Sequence, residues 1–278
     1  MIRFIVDSTF GITKEFADAN GIKTVGLTLL LDGKEYTEGF RESWNEFYSD
    51  YAKSKSAVKT SQPSPKKFME AIDEILKEDA NSEIIILTIG DRLSGTIGSA
   101  QIAALQYPAN KIAAINSFNA SISAVMVLQE LMDAANNGAT FEEVVALCDD
   151  VKMRASIIFI PASLTELARG GRVNKLLSHV GNILKIKPVF EYAKNELSIL
   201  AKALGTNRAI ATAIEKMPKK FDRLAICYIG DDRLVESVKG RLMREFDLDD
   251  IDVEPMCPVA GAHIGIGTVG IVTLASKA

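Results

Sequence analysis

Four short segments concentrate hydroxyl-bearing and small residues in a pattern suited to holding an anion. They are Asp7-Ser8-Thr9, Thr60-Ser61-Gln62-Pro63-Ser64, Ser94-Gly95-Thr96-Ile97-Gly98-Ser99, and Asn116-Ser117 through Ser121. A serine or threonine in such a place can simply cap the helix that follows, accepting from a free backbone N–H. Four such loops on one edge of one sheet would instead make a shelf of neutral hydrogen-bond donors. Gly95 lets backbone N–H groups approach a ligand closely, and a helix starting there aims its positive end at the shelf. An anionic head group would be held there without lysine or arginine.

Complete catalytic or metal centres are harder to assemble. The histidines are His179 and His263, and the cysteines are Cys148, Cys227 and Cys257, widely separated and with no CxxC pair. So few soft ligands argue against a transition-metal site, and the thiols read as buried and reduced. A Ser-His-Asp triad could in principle be assembled from Ser94, His263 and Asp7, but no G-x-S-x-G elbow presents the serine. Gly265-Ile266-Gly267-Thr268-Val269-Gly270 matches GxGxxG literally. It runs into Ile271-Val272-Thr273-Leu274, a strand pattern, whereas a dinucleotide fingerprint opens a helix. No Walker motif is present. Arg169-Gly170-Gly171-Arg172 is a basic turn, either a helix break with two solvated arginines or a contact for an anion or an acidic partner. We therefore expect no catalytic residues, no metal and no cofactor.

The elements that must carry these loops alternate. Residues 2–6, 22–31, 83–89 and 111–115 read as strands, the last two strongly apolar. Helices are expected between and after them. Their signals are Thr13 as N-cap with a stop near Gly21, a Ser43/Glu46 capping box, Pro65 at a first helical position, and a Thr140/Glu143 capping box. Asp32-Gly33 marks a hairpin. Alternation of this kind predicts a mostly parallel sheet flanked by helices, with ligands at the carboxyl ends of its strands. From about residue 153 the texture changes. Residues 156–160, 185–192, 196–202, 223–229, 251–256 and 266–274 read as strands. Helices are expected over 163–180, 206–217 and 232–245. The pair around Lys194-Asn195 suggests antiparallel pairing. The fold class is thus α/β in two lobes, residues 1–152 and 153–278, the second with a mixed or antiparallel sheet and the ligand between them.

The chain has 278 residues, 47% hydrophobic and 24% charged, with a net charge of −4 and a pI near 5.4. That balance argues against a nucleic-acid binder, which carries a basic field. No run of 18 apolar residues predicts a transmembrane segment. The opening run, Met1 through Asp7, is too short for a secretion signal, so a cytoplasmic protein is expected.

Taken in order, several segments resemble the DegV family of bacterial fatty-acid-binding proteins. They are Asp7-Ser8, Thr60-Ser61-Gln62-Pro63-Ser64, Leu93-Ser94-Gly95-Thr96 with Ser99-Ala100, Leu167-Ala168-Arg169-Gly170-Gly171-Arg172, Lys187-Pro188, and Gly261-Ala262-His263-Ile264-Gly265. They run in the family's order over nearly the whole chain. The resemblance implies one long-chain fatty acid buried between the lobes, its carboxylate on Thr60, Ser61, Ser94 and Gly95 with His263 close by. Ser8, Ser117, Arg169, Gly170, Gly171 and Arg172 would be supporting residues or partner contacts. It also implies a separate ATP-dependent fatty acid kinase that phosphorylates the presented acid for phospholipid synthesis, so the chain itself would not be an enzyme. Two alternatives stay open: a self-contained serine hydrolase or acyltransferase using Ser94 and His263, and a regulatory binder of a small non-lipid anion. The sequence departs from the family pattern at Ile266, between glycines where Gly-Pro-Gly is usual, at Asn116-Ser117 in place of Asp-Ser, and in a less basic stretch from Lys202 to Arg208.

Overall fold

The computed structural model describes residues 1–169, 171 and 186–277. It stacks five layers. The first half supplies β1 (Ile2–Asp7), α1 (Lys14–Asn20), β2 (Lys23–Val25), β3 (Thr28–Leu31), β4 (Lys34–Thr37), α2 (Trp44–Tyr51), β5 (Lys59–Ser61), α3 (Pro65–Glu78), β6 (Glu83–Thr88), α4 (Thr96–Ala104), β7 (Ile112–Asn116), α5 (Ser121–Asn136) and α6 (Phe141–Arg154). Four of these strands form a parallel sheet in the order β2-β1-β6-β7. Ile84 through Leu87 are buried without exception, as expected of a parallel strand covered on both faces. Helices α3 and α4 cover one face, and α5 and α6 cover the other.

The second half supplies β8 (Ala155–Ile160), α7 (Leu164–Arg169), β9 (Ile186–Ala193), β10 (Glu196–Leu204), α8 (Thr206–Lys216), β11 (Phe221–Tyr228), α9 (Val235–Phe246), β12 (Asp252–Pro255), α10 (Pro258–Ile264) and β13 (Val269–Ala275). Its six-stranded sheet runs β10-β9-β8-β13-β11-β12 and is antiparallel except for β11 with β12. One face packs on α5 and α6, so a single apolar core joins both sheets through that helical layer. Helices α8 and α9 cover the other face. The expected α/β class, with a parallel first sheet and a mixed second one, is what the chain forms.

Several short-range signals read from the sequence hold. Thr13 Oγ1 accepts from Phe16 N–H, and Gly21 closes α1 in the left-handed region. Thr140 and Glu143 form the reciprocal box that opens α6. Lys194 and Asn195 both take positive φ in the β9–β10 turn, which suits a tight hairpin.

Two expectations are corrected. Residues 22–31 are not one strand. The chain breaks after Val25, β2 stays in the parallel sheet, and β3 joins a separate antiparallel sheet ordered β4-β3-β5. The crossing is tight: a Cβ on Gly26 would lie 2.4 Å from the Glu38 carbonyl oxygen. Nor does Ser43 form a capping box with Glu46. Ser43 already lies in a helical turn over Arg41–Ser43, with ψ −2°, and its hydroxyl donates to the Phe40 carbonyl. A capping residue needs extended backbone, and Glu46 is paired with Lys34 instead.

Candidate functional site

A cavity of about 480 Å³ opens between the two lobes, within the range of small-molecule pockets. Its walls differ. One is polar: Thr9, Thr60, Ser61, Gln62, Ser94, Gly95 and His263, with Asp91 and Arg92 at its edge. The other is apolar, with Ile157 and Phe159 from β8, Leu197 from β10, and Leu27, Ile89, Ala120, Met256, Val259 and Ile264 from around it. The polar wall is also the accessible one. Ser61, Gln62 and Gly95 are exposed, whereas Ile157 and Phe159 are buried.

Each polar residue is placed by a different element. Thr60 and Ser61 stand on β5, paired with Leu29 and Thr28 of β3. Ser94 and Gly95 lead into α4, with Gly95 at its N-cap, and the Ser94 and Thr96 hydroxyls lie 2.8 Å apart. Gln62 bridges the two loops. Its Nε2 donates to Ser99 Oγ at 3.0 Å, and its Oε1 would be 2.3 Å from a Cβ on residue 95. A side chain at position 95 would push the Gln62 amide aside. His263 arrives on α10 from the other half of the chain, its Nε2 2.8 Å from Thr60 Oγ1. Thus Thr60, Ser61, Ser94, Gly95 and His263 come together as one wall although 203 positions separate Thr60 from His263.

Ser8 and Ser117 do not reach the cavity. Ser8 is buried, donating to Glu38 Oε2 at 2.6 Å and accepting from Leu27 N–H at 3.0 Å. Ser117 turns back to its own loop, bonded to the Asn119 carbonyl and N–H. The hydroxyl shelf therefore has three loops, not four, and the 116–121 loop offers only Ala120. Gly171 is exposed with φ +76° and donates to the Ala168 carbonyl, ending α7. Gly170, Arg172 and the Arg169 side chain lie outside the described residues. Ile266 falls beyond α10 in the turn to β13, against Gly230. The literal GxGxxG has a helix before it and a strand after it, the reverse of a dinucleotide site.

Two buried carboxylates stand behind the polar wall. Asp7 accepts from Ile89 N–H at 2.7 Å and from the Thr9 N–H and hydroxyl. Burial lifts its pKa to about 6 against the pull of those bonds. Glu38 is lifted to about 7 by burial, opposed by its bonds to Ser8 and Val259 and reinforced by the nearby Asp7 charge. The Cys257 thiol, which caps α10 by accepting from Ala260 N–H, is pushed up by the same burial. With Asp7 committed to Thr9 and Ile89, and His263 Nε2 on Thr60, no Ser94-His263-Asp7 relay is assembled. No group of three or more potential metal ligands occurs among the described residues. Nor does any described helix have the length and apolarity to cross a membrane.

The family model described as "Uncharacterised protein, DegV family" matches residues 1–276. The chain belongs to the DegV family. A DegV domain-containing protein of Staphylococcus aureus is 27% identical over 275 residues, covering 97% of each chain. Among solved structures, a DegV lipid-binding protein from Thermotoga maritima superposes with a TM-score of 0.84 at 27% identity, covering 99% of both chains. The Fatty Acid Kinase B3 protein of Streptococcus pneumoniae, solved with linoleic acid, superposes with a TM-score of 0.84 at 22% identity, over 99% of this chain and all of that one. That likeness concerns the fold.

Within this DegV-family chain, sequence reasoning passed over three residues that stand in the site or are bonded to its surroundings. Glu38 belongs to no motif that marks a site. Gln62 lies inside a segment singled out for its hydroxyls. Asn195 reads as a hairpin turn residue. It also reaches across to the other lobe, donating to Asp91 and accepting from Arg92 N–H and the Tyr192 hydroxyl.

Proposed function

We propose that this protein binds one long-chain fatty acid between its lobes and presents the carboxylate to a partner ATP-dependent fatty acid kinase, contributing no catalytic step itself. The observation that carries this reading is the division of one cavity into an accessible hydroxyl-rich wall and a buried aliphatic wall. Thr60, Ser61, Ser94 and Gly95 would hold the carboxylate, with His263 bonded to Thr60. The division matches the energetics of a fatty acid. At roughly 0.8 kcal/mol per methylene, a tail of about 14 methylenes offers on the order of 11 kcal/mol before ordering costs. A hydrogen bond to a charged head group is worth only about 1.5–3 kcal/mol. The tail sets affinity and the hydroxyls set orientation.

Neutral donors also suit presentation. An arginine fork would occupy both carboxylate oxygens, whereas hydroxyls leave a lone pair for attack on a phosphoryl group. The exposure of Ser61, Gln62 and Gly95 leaves that side open to a second protein. The lipid-binding Thermotoga maritima relative supports a lipid ligand. Native mass spectrometry of the protein purified from its host should show one bound fatty acid per chain, exchangeable with added palmitate. Its absence refutes the reading. Thr60→Ala with Ser94→Ala should abolish phosphorylation by a cognate kinase while tail binding survives; unchanged phosphorylation refutes the head-group assignment.

A further inference from the structure

Glu38 lies between β4 and α2 and is 2% exposed. Its two oxygens reach in opposite directions. Oε2 accepts from Ser8 Oγ at 2.6 Å, in the loop after β1. Oε1 accepts from Val259 N–H at 2.7 Å, in the first turn of α10. The Cys257 side chain, at the cap of the same helix, lies beside it. Ser8 Oγ is itself held by Leu27 N–H, where the chain crosses between sheets. One carboxylate thus ties together a strand end of the first lobe, the sheet crossover, and the helix that brings His263 to Thr60.

The bond pattern is unusual for an acid. No lysine or arginine is bonded to Glu38 among the described residues. A buried carboxylate without a cation is costly, and an apolar residue of similar size would fill the space. What such a residue cannot do is accept from both lobes at once. Leu27, Cys257, Val259 and His263, all bonded to this network or carried by its helix, line the cavity.

We infer that Glu38 is the positioning residue of the head-group site: it holds α10 in register with β5, and so sets His263 against Thr60 across the lobe boundary. This rests on the fatty-acid reading above. Geometry is the active property. A glutamine keeps the two contacts: its amide oxygen accepts from Val259 N–H and its amide N–H donates to Ser8 Oγ, which accepts it beside Leu27 N–H and gives up only its own donated bond. An aspartate keeps the charge but is one methylene too short to span Ser8 and Val259.

The test uses the full chain, stripped of lipid, with palmitate and 1-hexadecanol as probes. The two share a tail and differ at the head. Native protein should prefer palmitate. Glu38→Ala and Glu38→Asp should each lower palmitate affinity by about tenfold, the weight of one hydrogen bond to a charged group, with hexadecanol changed less than about twofold. Glu38→Gln should restore palmitate to within about threefold of native. Equal losses for acid and alcohol, an aspartate that behaves as native, or a glutamine that fails to restore, each overturns the proposal. If the alanine variant does not fold, the aspartate and glutamine pair decides alone. Native protein that does not prefer palmitate overturns the fatty-acid reading itself, before any variant is compared.

Discussion

On the polar wall of the cavity, Thr60, Ser94 and His263 come from a short strand, a helix-entering loop and a helix of the opposite lobe; Thr60 and His263 are bonded to each other across the lobes, and Ser94 to Thr96 in its own loop. On the apolar wall, Ile157, Phe159 and Leu197 stand on strands of a single sheet. The first is an assembly of distances, sensitive to a shift of one element. The second is a volume, tolerant of which aliphatic side chain fills it but not of how much. Orientation and affinity are thereby separable, and each wall can be perturbed alone.

The largest effect should come from the apolar wall. Leu197→Trp places a ring in the cavity and should displace about four methylenes, costing palmitate about 3 kcal/mol, or more than a hundredfold in affinity. Decanoate should bind as before. A loss shared by both chain lengths, in a lipid displacement titration, would show that the walls are not separable.

The polar wall should instead feel pH. The folded-state pKa of Glu38, about 7, lies above its ordinary 4.5, so folding favours the protonated acid. Its contribution is fully present below about pH 4.5 and is lost as pH rises through 7. Asp7 acts with the same sign, up to about 6. Relative to Glu38→Gln, native protein should lose on the order of 2 kcal/mol of stability between about pH 5 and about pH 7.5. Urea unfolding of both proteins at several pH values measures this, and parallel curves would contradict it.

The smallest effect should lie where the walls meet. Asn195→Ala removes the contacts to Asp91, Arg92 and Tyr192 that tie the β9–β10 turn to the Ser94 loop. Fatty-acid exchange should quicken several-fold in stopped-flow displacement, with affinity changed by less than about 1 kcal/mol, the net worth of an ordinary hydrogen bond.

What could be read without coordinates was local. The buried strand at Ile84 through Leu87, the caps at Thr13 and Thr140, and the turn at Lys194-Asn195 each depend on a few neighbours in sequence. The hydroxyl loops were visible as residue types, but type does not give direction. Ser8 and Ser117 have the same chemistry as Ser94 and turn inward, because a carboxylate and a loop carbonyl claim them. Residues 28–31 share the apolar pattern of a parallel strand, yet pair elsewhere because Gly26 allows the chain to cross Glu38. The role of Glu38 was illegible because its partners lie 30 and 221 positions away.

Gly90 gives the joint between the lobes a different kind of control. A Cβ there would sit 1.9 Å from the Tyr192 hydroxyl and 2.9 Å from Asn195 Oδ1. Tyr192 is a buried, rigid ring and cannot swing aside as a flexible chain would. A single methyl at position 90 would therefore press directly on Tyr192 and the β9–β10 turn. The close fit of the two halves at this point thus depends on an atom that is missing.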